Sequence, residues 1–425
     1  MVIKNYLKIL ILSLIIVCCN LKEKQKNTVK NLEYDITKTA DTIKSTPFDN
    51  WKEGFLDIHH INTGSGDTSF MILPDGTTML FDTGELNKKV FEERHPPMKI
   101  AERKPDSTIT VSEWVSLYIK TITPKEITPK IDYAVVSHFH RDHYGSLMDL
   151  GNKMSIKKII DRDAPGYNFP LDVKQYLKED KNFQKYLSFI DSTGVPVEAL
   201  KVGVDNQIKL LNSSKEYPSF KIRNVKSNAT IWTGKGEGTF DYFTAKDMTN
   251  YYKGKYNENP LSLALKISYG KFDYFTGGDN TGLQGFGLPY WFDVETPMAK
   301  AVGKVEVTTL NHHGNRDATN EFFVKTLDPK VVVQQSWCSD HPGQEVYQRL
   351  IYKDKNAESR DIFATNMHDE TKVTYGPWFI DNYKSMQGHI VVRVYPRGNK
   401  YEVIILNDDS TELTVKEKFG PYNSK

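Results

Sequence analysis

The sequence predicts an α/β fold with a metal site along one edge of its sheet structure. Two observations carry this. Short apolar, β-branched runs recur between amphipathic stretches, as strands and helices do. Four of those runs end in metal-binding residue types: Asp82, the cluster His138 to His143, Asp279, and the pair His312 and His313. Functional side chains gathered at strand ends, where loops converge on a rigid scaffold, point to a site more strongly than any one motif does.

The densest of these is Val135-Val136-Ser137-His138-Phe139-His140-Arg141-Asp142-His143-Tyr144-Gly145. Three histidines and one aspartate fall within six positions of a 425-residue chain that has only 11 histidines. The apolar run Ile131 to Val136 reads as a buried strand, so the ligands begin where it ends. Alternate residues of an extended segment point the same way, which lets His138 and His140 approach one ion. Asp142 and His143 lie past the strand end and can turn towards a second. Imidazole with carboxylate suits zinc, iron or manganese better than calcium or magnesium.

Composition sets the class. Lys plus Arg number 56 against 54 Asp plus Glu, so no global field favours a polyanion. The chain is long enough for one large domain or two ordinary ones. At the N-terminus Lys4 and Lys8 precede the apolar run Ile9 to Val17, which meets Cys18 and Cys19. A positive flank and a short apolar core before a processing site read as an export signal, too short to span a membrane. The cysteines give it the look of a bacterial lipoprotein signal, with Cys19 as the lipidated residue. Signal 1–19, a polar tether 20–50, a folded body 51–410 and a C-terminal tail 411–425 are the expected divisions. Cys338 is the one remaining cysteine, so the body has no internal disulfide, and a buried apolar role is expected for it.

In chain order, Gly54 to Asn62 alternates as a strand. His59 and His60 are adjacent on it and face opposite ways, and structural roles are expected for both. A Gly-rich turn leads to the strand Phe70 to Leu73. Pro74-Asp75-Gly76 turns the chain into the strand Thr77 to Phe81 and then Asp82-Thr83-Gly84. The Gly64-x-Gly66 turn lacks the lysine and helix of a nucleotide loop. Asp82 is placed to orient a ligand histidine from behind. Residues 85–130 read as a polar elaboration near the metal loop, with one amphipathic helix, Val111 to Ile122. A helix starts at Tyr144, a strand follows at Ile156 to Ile160, and Lys174 to Ile190 is helical. Thr230 to Lys255 reads as a loop-rich segment whose aromatics and lysines could line a groove. Strands follow at Leu261 to Tyr269, Phe272 to Phe275, Val305 to Leu310, Val331 to Gln335, Ile362 to Thr365, Ile390 to Val394 and Tyr401 to Ile405. A helix follows His341-Pro342, and Arg397-Gly398-Asn399 turns the last hairpin.

Taken together, these motifs resemble the metallo-β-lactamase superfamily, and more closely the hydrolase domain of the competence protein ComEC, which is involved in bacterial DNA uptake. The matching pieces include Gly64 to Asp67, Leu73 to Gly76, Phe81 to Gly84 and His138 to Gly145. Asn259 to Leu263, Thr276 to Asp279, His312 to Gly314 and His341-Pro342 continue the series in family order. The resemblance implies an αββα four-layer sandwich. It implies His138 and His140 at a first metal, Asp142 and His143 at a second, Asp279 bridging, and His312 or His313 at the second. The superfamily usually supplies a further histidine between the central motif and the bridging aspartate. None occurs from Tyr144 to Gly278. Asn257, Asn259 or His341 are the candidates to fill that gap.

The expected activity is hydrolysis by metal-activated water with one or two Zn2+ ions, Mn2+ or Fe2+ being alternatives. Asp142 would hold the attacking hydroxide in line, and whichever of His312 and His313 is not a ligand would protonate the leaving group. The branch resemblance favours a phosphodiester substrate, small or nucleic acid. A lactone or ester hydrolase is the alternative, and a surface lipoprotein that binds without catalysing is the rival from another class. The partners expected are that substrate and a bacterial membrane reached through the N-terminal lipid.

Overall fold

The structure is a computed structural model that describes residues 46–101, 106, 108–352 and 359–425. The signal peptide, Cys19 and most of the tether lie outside these residues. Two mixed sheets make the body. In the first the strands run, edge to edge, Thr46–Pro47, Thr414–Asn423, Lys400–Leu406, His389–Val394, Leu56–His60, Thr68–Ile72, Thr78–Thr83, Tyr133–Val135, Ile159–Asp161 and Val197–Ala199. In the second they run Thr239–Asp241, Thr230–Trp232, Phe220–Ser227, Ala264–Tyr269, Phe272–Thr276, Val307–Thr309, Val331–Gln334, Asp361–Ala364 and Tyr383–Ser385.

Side-chain alternation along the strands builds the layers. Met71, Ile390, Val392, Leu265, Tyr274, Val331 and Val333 point between the sheets into one buried core. Their neighbours Phe70, Ile72 and Val391 face the other way, onto the helices Val111–Ile122 and Lys181–Thr193. Ala264, Phe275 and Val332 likewise face the helices Glu295–Val302, Glu321–Leu327 and Gln344–Ile351. Helix, sheet, sheet, helix is the αββα sandwich expected.

Parallel pairing places the site. Thr78–Thr83, Tyr133–Val135 and Ile159–Asp161 run parallel in the first sheet. Phe272–Thr276, Val307–Thr309 and Val331–Gln334 do so in the second. Their carboxyl ends carry Asp82, His138, Arg162, Asp279, His312 and Gln335. Crevices outside the carboxyl ends of parallel strands are where ligands bind in α/β folds.

Several boundaries differ from expectation. Residues 411–425 are no tail, because Thr414–Asn423 pairs antiparallel with Lys400–Leu406. Only Val415, Phe419 and Tyr422 of this strand pack on the cores, too few to read as a strand in sequence. Phe48 is buried and its N–H donates to Leu413 O, so the folded body begins before residue 51. The helix expected over Lys174 to Ile190 is two, Val173–Tyr176 and Lys181–Thr193, the second capped by Asp180. Thr230 to Lys255 is more ordered than a loop. It holds two short strands and the helix Ala245–Tyr251, which starts with a capping box between Thr244 and Asp247.

Candidate metal centre

Asp82, at the end of Thr78–Thr83, has φ of 59°, a left-handed conformation costly for a side-chain-bearing residue. That turn aims its carboxylate at the central loop. Ser137 N–H donates to Asp82 Oδ1 at 2.7 Å and His143 Nδ1 donates to Oδ2 at 2.9 Å. A carboxylate on Nδ1 leaves the Nε2 lone pair free. His143 Nε2 then lies 3.0 Å from Asp279 Oδ1 and 3.8 Å from Asp142 Oδ2. Gly84 allows the loop to close, since a Cβ there would lie 1.6 Å from Asp142 O.

The second sheet supplies the other side. Asp279 N–H donates to Ser262 Oγ at 3.1 Å, which fixes the loop after Phe272–Thr276. His312 and His313 follow Val307–Thr309 with φ of 48° and 55°. This strained turn is held by His312 N–H to Gly278 O at 3.1 Å and Gln334 Nε2 to His313 O at 2.9 Å. The side chain of Asn311 also donates to Glu295 at 2.7 Å. His313 Nδ1 donates to Asp67 Oδ1 at 2.8 Å, and Gln335 Nε2 donates to Asp67 Oδ2 at 3.2 Å. His313 Nε2 is thereby turned to Asp142 Oδ2 at 3.3 Å and Asp279 Oδ1 at 3.6 Å.

Two groups of ligand atoms result. Asp142, His143, Asp279 and His313 form one, and His138, His140 and Asp279 form the other. In the second, His138 Nε2 lies 3.1 Å from His140 Nδ1 and 3.6 Å from Asp279 Oδ2. Donors held at about 2.0–2.2 Å around a tetrahedral ion are about 3.3–3.6 Å apart. The separations in both groups match that edge length to within a few tenths of an ångström. His143 Nε2 and Asp279 Oδ1 are buried and make no hydrogen bond, as atoms awaiting a cation would be. The residues present therefore fit one ion in each group, with Asp279 offering one oxygen to each.

Charge agrees with geometry. Burial opposes the charged form of every group here, yet His143, aided by His313, pulls Asp142 and Asp279 below the ordinary carboxylate range. Burial would lower His143 and His313 too, but Asp279 with Asp142, and Asp67 with Asp279, raise them well above the usual imidazole value. Carboxylates that draw protons onto two buried imidazoles form a field that a divalent cation would satisfy. His138 is pushed well down, by burial first and then by His143, which leaves it neutral as a ligand must be.

The other expected residues are placed as follows. His312 is outside both groups. Its Nδ1 donates to Asp317 Oδ1 at 2.5 Å, and its Nε2 lies 3.7 Å from Asp279 Oδ2 and 3.2 Å from Asn259 Nδ2. Burial lowers it, but Asp279 and Asp317 raise it further, so it sits above the ordinary imidazole value. His341 stacks on the far face of His313, with ring centroids 4.8 Å apart, and groups with Cys338 and Asp340. It does not join His138 and His140. His59 meets Tyr118 and His60 meets Ser69, each at 3.0 Å, away from the centre. Cys338 is buried beside Ile100 and Trp337, its thiol driven up by burial and Asp340.

Sequence reasoning assigned no role to Asp67, Asp317, Gln335, Arg162 and Glu258. Asp67 did carry a signal, since it closes the quoted Gly64 to Asp67 turn just as Asp82 precedes Gly84.

No family model matches the chain. Over 305 residues it is 24% identical to ComE operon protein 3 of Bacillus subtilis, which covers 70% of this chain and 30% of that protein. The chain thus spans under a third of the length of that curated relative. Among solved structures it is similar to CmlA, a diiron β-hydroxylase from Streptomyces venezuelae, at 12% identity and TM-score 0.33, covering 67% of this chain and 45% of that one. A metallo hydrolase from the archaeon Ignicoccus hospitalis is 12% identical at TM-score 0.31, covering 66% and 81%. The likeness to the ComE operon protein thus extends over 70% of the chain.

Proposed function

Starting from that relationship, we propose that this chain is a metal-dependent hydrolase acting on phosphodiester bonds. The observation that carries the proposal is the pair of ligand groups sharing Asp279. A bound divalent ion supplies Lewis acidity and a water acidified from ~15.7 towards 7, and a pair of ions suits in-line displacement at phosphorus. The phosphodiester choice draws its support from the resemblance of the sequence motifs to the ComEC hydrolase domain. Zn2+ is the ion we favour, with Mn2+ or Fe2+ as the other fits to nitrogen and oxygen donors.

The chain's own residues have distinct tasks. Asp82 and Asp67 fix His143 and His313 with Nε2 inward. Asp142 accepts from the attacking water and directs it. His312 is the proton donor to the leaving group. Asp317 accepts from its Nδ1, Asp279 and Asp317 favour its charged form, and the His312 side chain is 17% exposed, so a substrate can reach it. His312→Ala should keep both ions and lose about 10²–10⁴-fold in rate. The Cys19 lipid belongs to the same proposal and places the enzyme at a membrane surface.

The test is metal content of protein purified without added metal, followed by turnover of bis-p-nitrophenyl phosphate, a lactone and a β-lactam. We expect metal-dependent phosphodiester hydrolysis that Asp142→Ala abolishes in a folded protein. Turnover of the lactone alone would move the reading to an ester hydrolase. Bound metal with no turnover of any substrate would leave a binding protein.

A further inference from the structure

The segment Glu258 to Leu263 lies against the loop that carries His138 and His140, and a buried lysine and a buried arginine hold that segment. Lys226 Nζ donates to Pro260 O at 2.6 Å and Ser262 O at 3.0 Å. Arg162, 1% exposed, grips Glu258 with both arms: Nε to Oε2 at 2.9 Å and Nη2 to Oε1 at 2.6 Å. Glu258 Oε2 also accepts from Phe139 N–H at 3.1 Å. Phe139 stands between His138 and His140, and its ring lies under the Arg162 guanidinium at 4.9 Å. Leu263 N–H donates to Ser137 O at 2.9 Å. One segment thus grips the backbone on both sides of His138.

A buried ion pair is a poor device for stability alone, because desolvation offsets most of its attraction and apolar residues of like size do as well. What apolar residues cannot do is accept a buried N–H in a fixed direction. We propose that Glu258, held by Arg162, is a positioning residue for the His138–His140 half of the metal centre, acting through the Phe139 N–H. The inference rests on the two-ion reading. It assigns the half-site that lacks its third histidine a buried carboxylate that holds its two imidazoles in place from behind.

Two double variants isolate the acceptor. Arg162→Met with Glu258→Gln removes both charges but keeps an oxygen for Phe139 N–H. Arg162→Met with Glu258→Leu removes the charges and the oxygen. Each is purified, checked for cooperative melting, and titrated with Zn2+ against a chelator, with Co2+ absorption as the spectroscopic readout. The Gln variant should bind two ions as the wild type does. The Leu variant should keep the Asp142–His143–His313 ion and lose about 10–100-fold in affinity for the other, as loss of an outer partner does. Equal binding by the two variants, whether of one ion or two, overturns the proposal. Fewer than two ions on the wild type overturns the two-ion reading itself. If neither double variant folds, Glu258→Asp keeps the charges and shortens the reach. There, selective weakening of one ion is expected, and two ions at wild-type affinity refute it.

Discussion

Gly84→Ala puts the geometry of the centre to its hardest test. The added Cβ would meet Asp142 O at 1.6 Å, Asp142 C at 2.0 Å and Asp142 Cα at 2.7 Å, all backbone. Ordinary contact begins at 3.4 Å, so the two segments must part by about 1.8 Å. The same Asp142 carbonyl accepts from Asp67 N–H at 2.8 Å, and Gly84 N–H donates to Asp67 O at 2.9 Å. Parting them therefore displaces Asp142, a ligand, and Asp67, the orienter of His313, together. Metal sites tolerate about 0.2 Å. The expected result is loss of the ion at Asp142, His143 and His313, with destabilisation of about 1–3 kcal/mol or more from overpacking. The assay is metal content after gel filtration, beside urea unfolding. Leu350→Ala, a buried position on a helix behind the second sheet, serves as control. It should cost about 2–5 kcal/mol and leave both ions bound. A Gly84→Ala protein that binds both ions with wild-type affinity would refute the site as described.

Three further outcomes are expected. Asp82→Ala frees His143 Nδ1 and should weaken the ion at Asp142, His143 and His313 by about 10–100-fold in a chelator competition, while Asp75→Ala, at a distant turn, should not. Removing metal should lower the melting temperature, and restoring Zn2+ to a hundred times its Kd should return about 2.7 kcal/mol. Glu295, pushed up to about 7 by burial against the hydrogen bonds it accepts from Asn311, Thr319 and Asn320, binds a proton in the folded state that an ordinary carboxyl near 4.5 has released. Stability from this group is therefore full below about pH 4.5 and falls as pH rises through 7, by up to about 3 kcal/mol. Glu295→Gln should flatten that slope in denaturation curves taken from pH 5 to 8.

What could be read in the sequence was whatever a strand end announces locally. His138 to His143 stood out because histidine is scarce, and Asp82 and Asp279 because each lies within two residues of a glycine after an apolar run. The helix around Val111 to Ile122 was legible from its apolar period, and the structure adds the Thr110 cap that fixes its start. What stayed hidden depends on distant pairing. Asp317 and Glu258 look like any loop carboxylate until the fold brings His312 and Arg162 to them. His312 and His313 were indistinguishable because the left-handed turn that separates their directions leaves no mark on the residues. The strand Thr414–Asn423 is half-solvated, and half-solvated strands carry too little apolar signal.

The centre draws Asp142, His143, His138 and His140 from one sheet and Asp279 and His313 from the other. An ion held across that seam would cross-link two halves whose strands, among the described residues, do not pair with each other. Its departure should register as breathing, not as unfolding. Amide exchange would quicken at the carboxyl ends of Thr78–Thr83 and Phe272–Thr276 together, while the pleats facing the shared core stay protected. Where a protease is present, the lifetime of the folded chain would then be set by metal supply as much as by the quality of its core.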